Sequence, residues 1–224
     1  MKIDEKIFNE IWSDLKKDNI KFINNPKAFV LGGQPGAGKS KLIKKALDIL
    51  EQNAIIINGD DYRKYHPDYV TLQNAYGKDS PKYTALFAGI ITEMILEKAI
   101  KEKINVIIEG TFRTATTPIK TLKLFKDNGY STNVLIQTCN KELSYKSCLE
   151  RYEKMCQVMP NEARFTDKAH HDLVVSCLAD NIKEVYDSNL VDNMKIYIRT
   201  NNSYEELKIT NSTFDVKLLN KYIG

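Results

Sequence analysis

A glycine-rich segment near the N-terminus spaces a lysine and a hydroxyl residue in a way that suits phosphate chemistry. Its residues are Gly33, Gln34, Pro35, Gly36, Ala37, Gly38, Lys39 and Ser40. They fit the pattern Gly-x-x-x-x-Gly-Lys-Ser/Thr, in which glycines let backbone N–H groups point at phosphate oxygens without a Cβ between them. We expect Lys39 to contact the β- and γ-phosphates of a nucleotide and the Ser40 hydroxyl to ligate Mg²⁺.

The elements on both sides of this glycine loop are the ones that its chemistry requires. The apolar residues from Ala28 to Leu31 predict a buried strand before the loop. After it, apolar residues recur at helical spacing: Leu42, Ile43, Ala46, Leu47 and Leu50. A helix that begins near Lys39 would direct the positive end of its dipole at bound phosphates. Strand, loop and helix in this order predict a phosphate-binding loop rather than a turn.

Acidic residues follow two further apolar runs. Asp60 comes after the run 54–58, and Glu109 comes after the run 106–108. In open parallel sheets ligands bind at the carboxyl ends of the strands, so both side chains should face the glycine loop. Such a carboxylate can help to hold Mg²⁺, orient a nucleophile or accept its proton. Each could instead be structural, Asp60 as a helix cap and Glu109 as the partner of a neighbouring cation.

Two arginines are placed where a lid over the phosphates would need them. Arg151 lies late in the helical pattern 141–157, and Arg164 lies in the loop that follows, at about 156–168. Positive charge offsets the charge that builds on the phosphate oxygens in the transition state. A closing lid also excludes water, which a kinase needs if its acceptor hydroxyl is to react instead. Both arginines could also be solvated surface charges.

The wider pattern predicts the fold that must position these residues. Apolar runs at 27–31, 54–58, 106–108, 134–136 and 194–198 alternate with helical patterns at roughly 39–52, 81–103, 116–128, 141–157 and 167–188. Continuous apolar strands between helices indicate a parallel sheet that is covered on both faces. We expect an α/β P-loop NTPase-type three-layer fold in one domain over residues 1–224. It comprises an N-terminal helix at 1–25, a core at 27–200 and a weakly patterned tail at 201–224.

Composition limits the classes of function. The 224 residues are 42% hydrophobic and 28% charged, and the net charge of +4 suits small polyanions but is too weak to indicate nucleic acid. The four cysteines form no C-x-x-C pair, so neither a zinc site nor a disulfide framework is expected. Residues 1–19 lack the continuous apolar stretch of a signal peptide or membrane span. We therefore expect a cytoplasmic protein with no membrane partner.

Five blocks of sequence together resemble the zeta-toxin family. They are the glycine loop 33–40, Gly59-Asp60-x-Tyr62-Arg63-x-x-His66-Pro67, Ile108-Glu109-Gly110-Thr111-x-Arg113-Thr114, Glu150-Arg151-Tyr152-Glu153 and Ala163-Arg164-x-Thr166-x-Lys168-x-x-His171-Asp172. The stretch 76–89 looks especially like the PezT branch of that family. The likeness extends from about Phe29 to Ile198. Many kinases share the glycine loop, whereas the His-Pro and Glu-Gly-Thr-x-Arg elements at these distances are much more specific.

The resemblance implies a reaction. Members of this family are toxins of toxin–antitoxin pairs that use ATP or GTP and Mg²⁺ to phosphorylate the 3′-hydroxyl of the amino sugar in UDP-N-acetylglucosamine, which obstructs cell-wall precursor synthesis. By resemblance, Asp60 accepts the proton of the sugar hydroxyl. Lys39 and Ser40 hold the nucleotide phosphates and Mg²⁺. Arg151 and Arg164 bring positive charge to the transferring phosphate.

The resemblance also implies a sugar-nucleotide site and a protein partner. Glu93, Glu109, Thr111 and Arg113 match positions that hold the sugar nucleotide. From the residues alone Glu93 reads as a solvated helix charge, whereas the Arg113 fork suits the diphosphate of UDP. The usual partner is an antitoxin whose N-terminal helix blocks the nucleotide site. Asp61 directly follows Asp60, and the His-Pro spacing favours Asp60 as the base.

Two other classes of function remain open from the residues. Antibiotic phosphotransferases and polynucleotide 5′-kinases share a glycine loop and a strand-end aspartate, and the nucleic-acid kinases would show a steep salt dependence. A nucleotide-binding module could also act by complexing a partner without chemistry. The intact set Lys39, Asp60, Arg151 and Arg164 argues against that module.

Overall fold

Six strands form one sheet at the centre of the structure, a computed structural model that describes residues 3–160, 163–207 and 214–224. The strands are β1 (Lys27–Gly32), β2 (Ile55–Ile57), β3 (Val106–Glu109), β4 (Ser131–Cys139), β5 (Asn193–Arg199) and β6 (Tyr204–Leu207). Their order across the sheet is β2-β3-β1-β4-β5-β6. Neighbours from β2 to β5 pair in parallel, and β6 pairs antiparallel with β5. The predicted α/β fold with a mostly parallel sheet is confirmed.

Helices connect the strands and cover the sheet. The α-helices of the described residues are α1 (Glu5–Leu15), α2 (Ser40–Ile49), α3 (Tyr69–Tyr76), α4 (Pro81–Lys101), α5 (Thr116–Asp127), α6 (Lys141–Val158), α7 (Lys168–Asp187) and α8 (Val216–Ile223). Two 3₁₀ helices, Gly59–Tyr65 and Gly77–Asp79, precede α3 and α4. Over the described residues, no helix combines the length and apolar character needed to cross a membrane.

The central strand β1 shows why the sheet needs helices on both faces. Ala28 and Val30 belong to one hydrophobic cluster, whereas Phe29 and Leu31 belong to another. This alternation follows from the two-residue side-chain period of a strand. The first cluster also takes residues from α1, α4, α5, α7 and α8, and the second takes them from α2. A strand buried on both faces reads as an unbroken apolar run, which is the pattern found in the sequence.

The strand register brings the chemical residues to one edge of the sheet. Leu31 pairs with Glu109, so β1 and β3 end at the same level. Gly32 pairs with Ile136, and β4 then continues to Cys139 alongside the glycine loop. The loop is therefore flanked by the carboxyl end of β3 on one side and the last residues of β4 on the other.

The structure corrects the sequence predictions in three segments. The N-terminal helix, predicted at 1–25, spans Glu5–Leu15. The predicted lid loop at about 156–168 is shorter, because α6 continues through Val158 and α7 begins at Lys168. The tail 201–224, which the sequence left unassigned, forms β6 and α8. Positions 161 and 162 of the lid, 208–213 of the tail, and 1 and 2 of the N-terminal helix lie outside the described residues.

Helix α8 packs the end of the chain onto the core. Its N-cap, Asp215, accepts hydrogen bonds from the backbone N–H groups of Lys217 (2.9 Å) and Leu218 (3.1 Å). Leu219 and Ile223 lie one turn apart and are buried. They contact the layer formed by α7 and β4. Two buried residues in a short helix leave too little periodicity for a sequence prediction.

The change Leu219→Ala tests whether α8 is part of the folding unit. Leu219 is fully buried, so its truncation should lower the free energy of unfolding by about 2–5 kcal/mol. Leu218→Ala removes the same atoms from a half-buried neighbour and should cost clearly less. Urea denaturation of both variants measures the difference. Equal losses would show that α8 does not pack as described.

Candidate active site

The glycine loop approaches its neighbours so closely that side chains are excluded. Gly33 has a φ of +135°, and a Cβ there would lie 1.9 Å from the carbonyl oxygen of Gln137. Gly36 has a φ of +77°, and its Cβ would lie 2.0 Å from the carbonyl oxygen of Ser144. Backbone therefore packs on backbone at both positions, which only glycine permits.

Two buried amides, Gln34 in the loop and Gln137 on β4, fix the shape of this loop. Gln34 is fully buried; its Nε2 donates to the carbonyl of Cys139 at 2.6 Å, and its Oε1 accepts from the Thr138 hydroxyl at 2.7 Å. Gln137 Nε2 donates to the carbonyl of Ala37 at 2.8 Å. Two side-chain amides thus tie two points of the loop to one strand.

Lys39 stands at the N-cap of α2 with its amine inside the loop. Its Nζ donates to the carbonyls of Gly33 (3.0 Å) and Gln34 (3.4 Å), and it lies 3.7 Å from Glu109 Oε1. Burial lowers the pKa of the Lys39 amine below its usual value, although the Glu109 carboxylate opposes this. A nearby anion would stabilise such a buried cation.

The donors around the loop fit the phosphates of a nucleotide. The first N–H groups of a helix lack intrahelical partners, and those of α2 adjoin the loop beside Lys39. Ser40 is exposed at the start of α2. Mg²⁺ commonly takes few protein oxygens and completes its shell with waters and phosphate oxygens, so one hydroxyl there suits it. ATP and Mg²⁺ are therefore compatible with the residues present.

Asp60 lies in the 3₁₀ helix after β2 and is fixed by an arginine. Its Oδ1 accepts from Arg63 Nε at 2.8 Å. The same guanidinium donates through Nη1 to the carbonyl of Pro81 (2.7 Å) and to Thr84 Oγ1 (3.1 Å), both at the start of α4. Desolvation by the surrounding protein would raise the pKa of Asp60, but Arg63, with help from Arg164 and Arg151, lowers it below its usual value. Asp60 is therefore a carboxylate at neutral pH.

The two predicted lid arginines both act electrostatically on Asp60. Arg164 Nη2 donates to Asp61 Oδ1 at 2.5 Å, and Arg151 Nη2 donates to Thr166 Oγ1 at 3.3 Å. Arg151 also acts electrostatically on Lys39 and on Asp60. The structure thus brings both guanidinium groups near the predicted base, with the neighbouring carboxylate holding one of them.

A cleft of about 730 Å³ connects Asp60 with the predicted sugar-nucleotide residues. Asp60, Glu93, Glu109 and Thr111 line it. Glu93 is largely exposed and lies 3.8 Å from Lys120 Nζ. Arg113 lies beside this cleft, in an adjoining pocket of about 280 Å³ that shares Glu109 and Thr111. All four predicted substrate residues therefore surround one continuous region.

The sequence analysis assigns no role to Arg63, although its guanidinium holds the predicted base. Arg63 is part of the quoted Gly-Asp-x-Tyr-Arg block, but nothing in that block shows what its side chain contacts. The spacing of three residues from Asp60 within a helical turn was the available signal. The anchors on α4, Pro81 and Thr84, are distant in sequence and could not be foreseen.

These features define a P-loop protein of the kinase type. The parallel sheet places the glycine loop, the start of α2 and the strand-end carboxylates at one edge, where Glu109 lies 3.7 Å from Lys39. Arginines from α6 and the following segment act electrostatically on Asp60 there. This is the arrangement that phosphoryl transfer requires, since that reaction depends on positioning and on charge stabilisation.

The chain belongs to the zeta-toxin family, whose model, described as Zeta toxin, matches residues 9–208. It is 40% identical over 192 residues to Toxin PezT of Streptococcus pneumoniae serotype 4, covering 85% of this chain and 76% of that protein. It is 33% identical over 201 residues to Toxin zeta of Enterococcus hirae, covering 87% of this chain and 70% of that protein. The chain is thus a member of a family of P-loop kinase toxins, and phosphotransfer is the reaction class of its site.

Solved structures agree with this family. A structure from the PezAT chromosomal toxin–antitoxin system of Streptococcus pneumoniae matches with a TM-score of 0.81 and 31% identity, covering 100% of this chain and 88% of that one. A chain of the AvrRxo1-ORF1:-ORF2 complex matches with a TM-score of 0.65 at 12% identity, covering 90% and 65%. The second likeness concerns the fold alone.

The change Arg63→Gln tests the electrostatics of Asp60. Without the Arg63 guanidinium, less positive charge offsets the desolvation of the Asp60 carboxylate, so the pKa of Asp60 should rise. Carboxyl ¹³C NMR titration measures it, with Lys64→Gln, an exposed neighbour, as the control that should leave it unchanged. Because the folded pKa lies below the unfolded one, the Asp60 contribution to stability is present above the unfolded pKa and is lost as pH falls through the folded pKa. An unaltered Asp60 titration in Arg63→Gln would contradict this account.

Proposed function

We propose that this protein is a toxin kinase that transfers the γ-phosphate of ATP or GTP to the 3′-hydroxyl of the amino sugar in UDP-N-acetylglucosamine, and so blocks cell-wall precursor synthesis. The observation that carries the proposal is the cleft lined by both Asp60 and Glu109, because the Glu109 carboxylate in turn lies 3.7 Å from Lys39 of the glycine loop. Membership of the zeta-toxin family supports the same reaction. A hydroxyl acceptor in that cleft would lie between a base and a phosphate donor.

The donor half of the site consists of residues 33–40. The loop backbone and the N-terminus of α2 would hold the phosphates, with Lys39 reaching the transferring group and Ser40 ligating Mg²⁺. When bound, Mg²⁺ neutralises charge on the phosphate oxygens. The burial of Lys39 supports its role, because a dehydrated ammonium interacts more strongly with phosphate than a solvated one does.

The acceptor half depends on Asp60. Its lowered pKa keeps it ionised at neutral pH, so it can accept a hydrogen bond from the sugar hydroxyl and take the proton as the bond to phosphorus forms. Arg63 anchors Oδ1, which restricts the carboxylate to one orientation. Arg151 and Arg164 would stabilise the charge of the transferring phosphate.

The sugar nucleotide would occupy the cleft and its adjoining pocket. A volume of about 730 Å³ falls within the range of about 300–1,000 Å³ common for ligand sites. Glu93, Glu109 and Thr111 offer acceptors and a hydroxyl for polar groups of the ligand. Arg113 in the adjoining pocket offers a fork for the diphosphate.

A cognate antitoxin completes the proposal. The structural relative comes from a toxin–antitoxin system, and family membership extends the same expectation to this chain. We infer a protein partner that blocks the nucleotide site at the glycine loop, and neither nucleic acid nor a membrane enters this function.

Mass spectrometry of the sugar nucleotide tests the reaction. Incubation of the protein with ATP, Mg²⁺ and UDP-N-acetylglucosamine should add the mass of one phosphate. Asp60→Asn should abolish the product while retaining ATP binding, because the change spares the glycine loop. Asp18→Asn, an exposed acid far along the chain from the cleft residues, is the matched control. No phosphorylated product from any related UDP-sugar would refute the proposed substrate class.

Replacing Arg164 tests its transition-state role. Arg164→Gln should lower kcat by about 100-fold or more while changing the affinity for UDP-N-acetylglucosamine little, since the charge it offsets develops only during transfer. Steady-state kinetics and direct binding measurements separate the two quantities. Lys154→Gln removes an exposed cation from α6 and should alter neither. A weakened affinity at normal kcat would instead make Arg164 a ground-state binding residue.

A further inference from the structure

One face of α6 lies directly against the glycine loop. Ser144, Ser147, Cys148 and Arg151 follow the spacing i, i+3, i+4, i+7, which places them on a single stripe of the helix. A Cβ on Gly36 would lie 2.0 Å from the Ser144 carbonyl oxygen and 2.8 Å from Cys148 Sγ. The position of Arg151 relative to the phosphates therefore depends on how this stripe is held against Gly36.

The last residue of β5 connects the loop with that stripe. Arg199 Nη2 donates to the Gly36 carbonyl oxygen at 3.0 Å and to Ser147 Oγ at 3.0 Å. It also contacts Cys139 Sγ, its partner in the β4–β5 register, at 3.5 Å. A single guanidinium nitrogen thus joins the glycine loop, α6 and the end of β4.

The surroundings of Arg199 differ from those of an ordinary structural arginine. Within the described residues no carboxylate forms an ion pair with Arg199, and its buried Nε has no hydrogen-bond partner. Its Nη1 would lie 3.8 Å from a Cβ on Gly38, beside the loop. A partly buried cation without a counter-charge is unfavourable by itself, whereas beside an anion site it is stabilised once phosphate binds.

We propose that Arg199 is a positioning residue that holds α6, and with it Arg151, against the glycine loop by bridging the Gly36 carbonyl and the Ser147 hydroxyl. The effect on turnover rests on the proposed kinase function; the effect on α6 does not. The loop has separate supports in Gln34 and Gln137, so it keeps its shape without this bridge. Loss of the bridge therefore impairs transfer more than nucleotide binding.

The change Arg199→Lys tests the bridge while keeping the charge. Lysine carries its nitrogen one bond closer to the backbone than Nη2 of arginine, so it cannot place a donor where Nη2 meets both acceptors. We expect kcat to fall about tenfold or more, which is about 1.4 kcal/mol in the barrier, and the Kd for a non-hydrolysable ATP analogue to change less than about threefold. Calorimetry measures the Kd. Full kcat in Arg199→Lys, or equal losses in kcat and affinity, would overturn the proposal.

Ser147→Ala tests the same bridge from the α6 side. It removes the acceptor hydroxyl, together with a bond from that hydroxyl to the Leu143 carbonyl within the helix. Ser176→Ala removes a comparable bond within α7, to the Leu173 carbonyl, and is the matched control. Ser147→Ala should lower kcat. The double variant with Arg199→Lys should have a kcat no lower than that of Arg199→Lys alone. Additive losses would overturn a shared bridge. If Arg199→Lys does not fold, a normal kcat in Ser147→Ala alone would overturn the proposal.

Hydrogen–deuterium exchange tests the positioning of α6 in the absence of any phosphate-accepting substrate. In the complex with the ATP analogue, Arg199→Lys and Ser147→Ala should exchange faster in α6 around residues 144–151, while residues 33–40 stay protected. Lys195→Gln, which removes an exposed cation of the same strand paired with Glu206, should exchange like the wild type. Unchanged α6 exchange in both variants would overturn the proposal. If the wild type does not phosphorylate UDP-sugars but the two variants still show faster exchange in α6, the proposed substrate is refuted and the positioning role remains supported.

Discussion

The contact of loop backbone with sheet and helix backbone is the constraint on which the rest of the site depends. At Gly33 and Gly36 no Cβ fits, so the loop lies directly on Gln137 and Ser144. This closeness lets the buried amide of Gln137 on β4 donate to the loop carbonyl of Ala37, and it lets one face of α6 lie against the loop. A looser loop would leave the arginine of α6 at an undefined distance from the phosphates, and positioning is most of what a phosphotransferase supplies.

The site holds more positive than negative groups, and their surroundings explain how it tolerates them. Lys39 is buried with Glu109 at 3.7 Å and with loop carbonyls as its other contacts. Arg199 has no carboxylate partner among the described residues. Stability alone would favour neutral side chains at such positions. An incoming triphosphate would supply further negative charge, which accounts for a buried Lys39 and for an Arg199 that lacks a carboxylate partner in the described part of the chain.

The sequence predicted what depends on local pattern and missed what depends on distant contacts. Strand β1, the glycine loop and α2 are contiguous, and an apolar run, fixed spacing and helical period identified them. The roles of Arg63 and Arg199 depend on partners such as Thr84 and Gly36, which lie far along the chain. Helix α8 was not predicted, because its two buried residues leave too little apolar periodicity in the sequence.

Adjacent aspartates in the 3₁₀ helix acquire different tasks from different arginines. Asp60 is held by Arg63, which is anchored at the start of α4, whereas Asp61 pairs with Arg164 from the segment between α6 and α7. A carboxylate with a fixed orientation is suited to meet an acceptor hydroxyl. A carboxylate that pairs with a lid arginine is suited to hold that arginine near the transferring phosphate. The two arginines thus distinguish the adjacent aspartates by their contacts, which supports the proposal of Asp60 as the base and makes Asp61 the partner of Arg164.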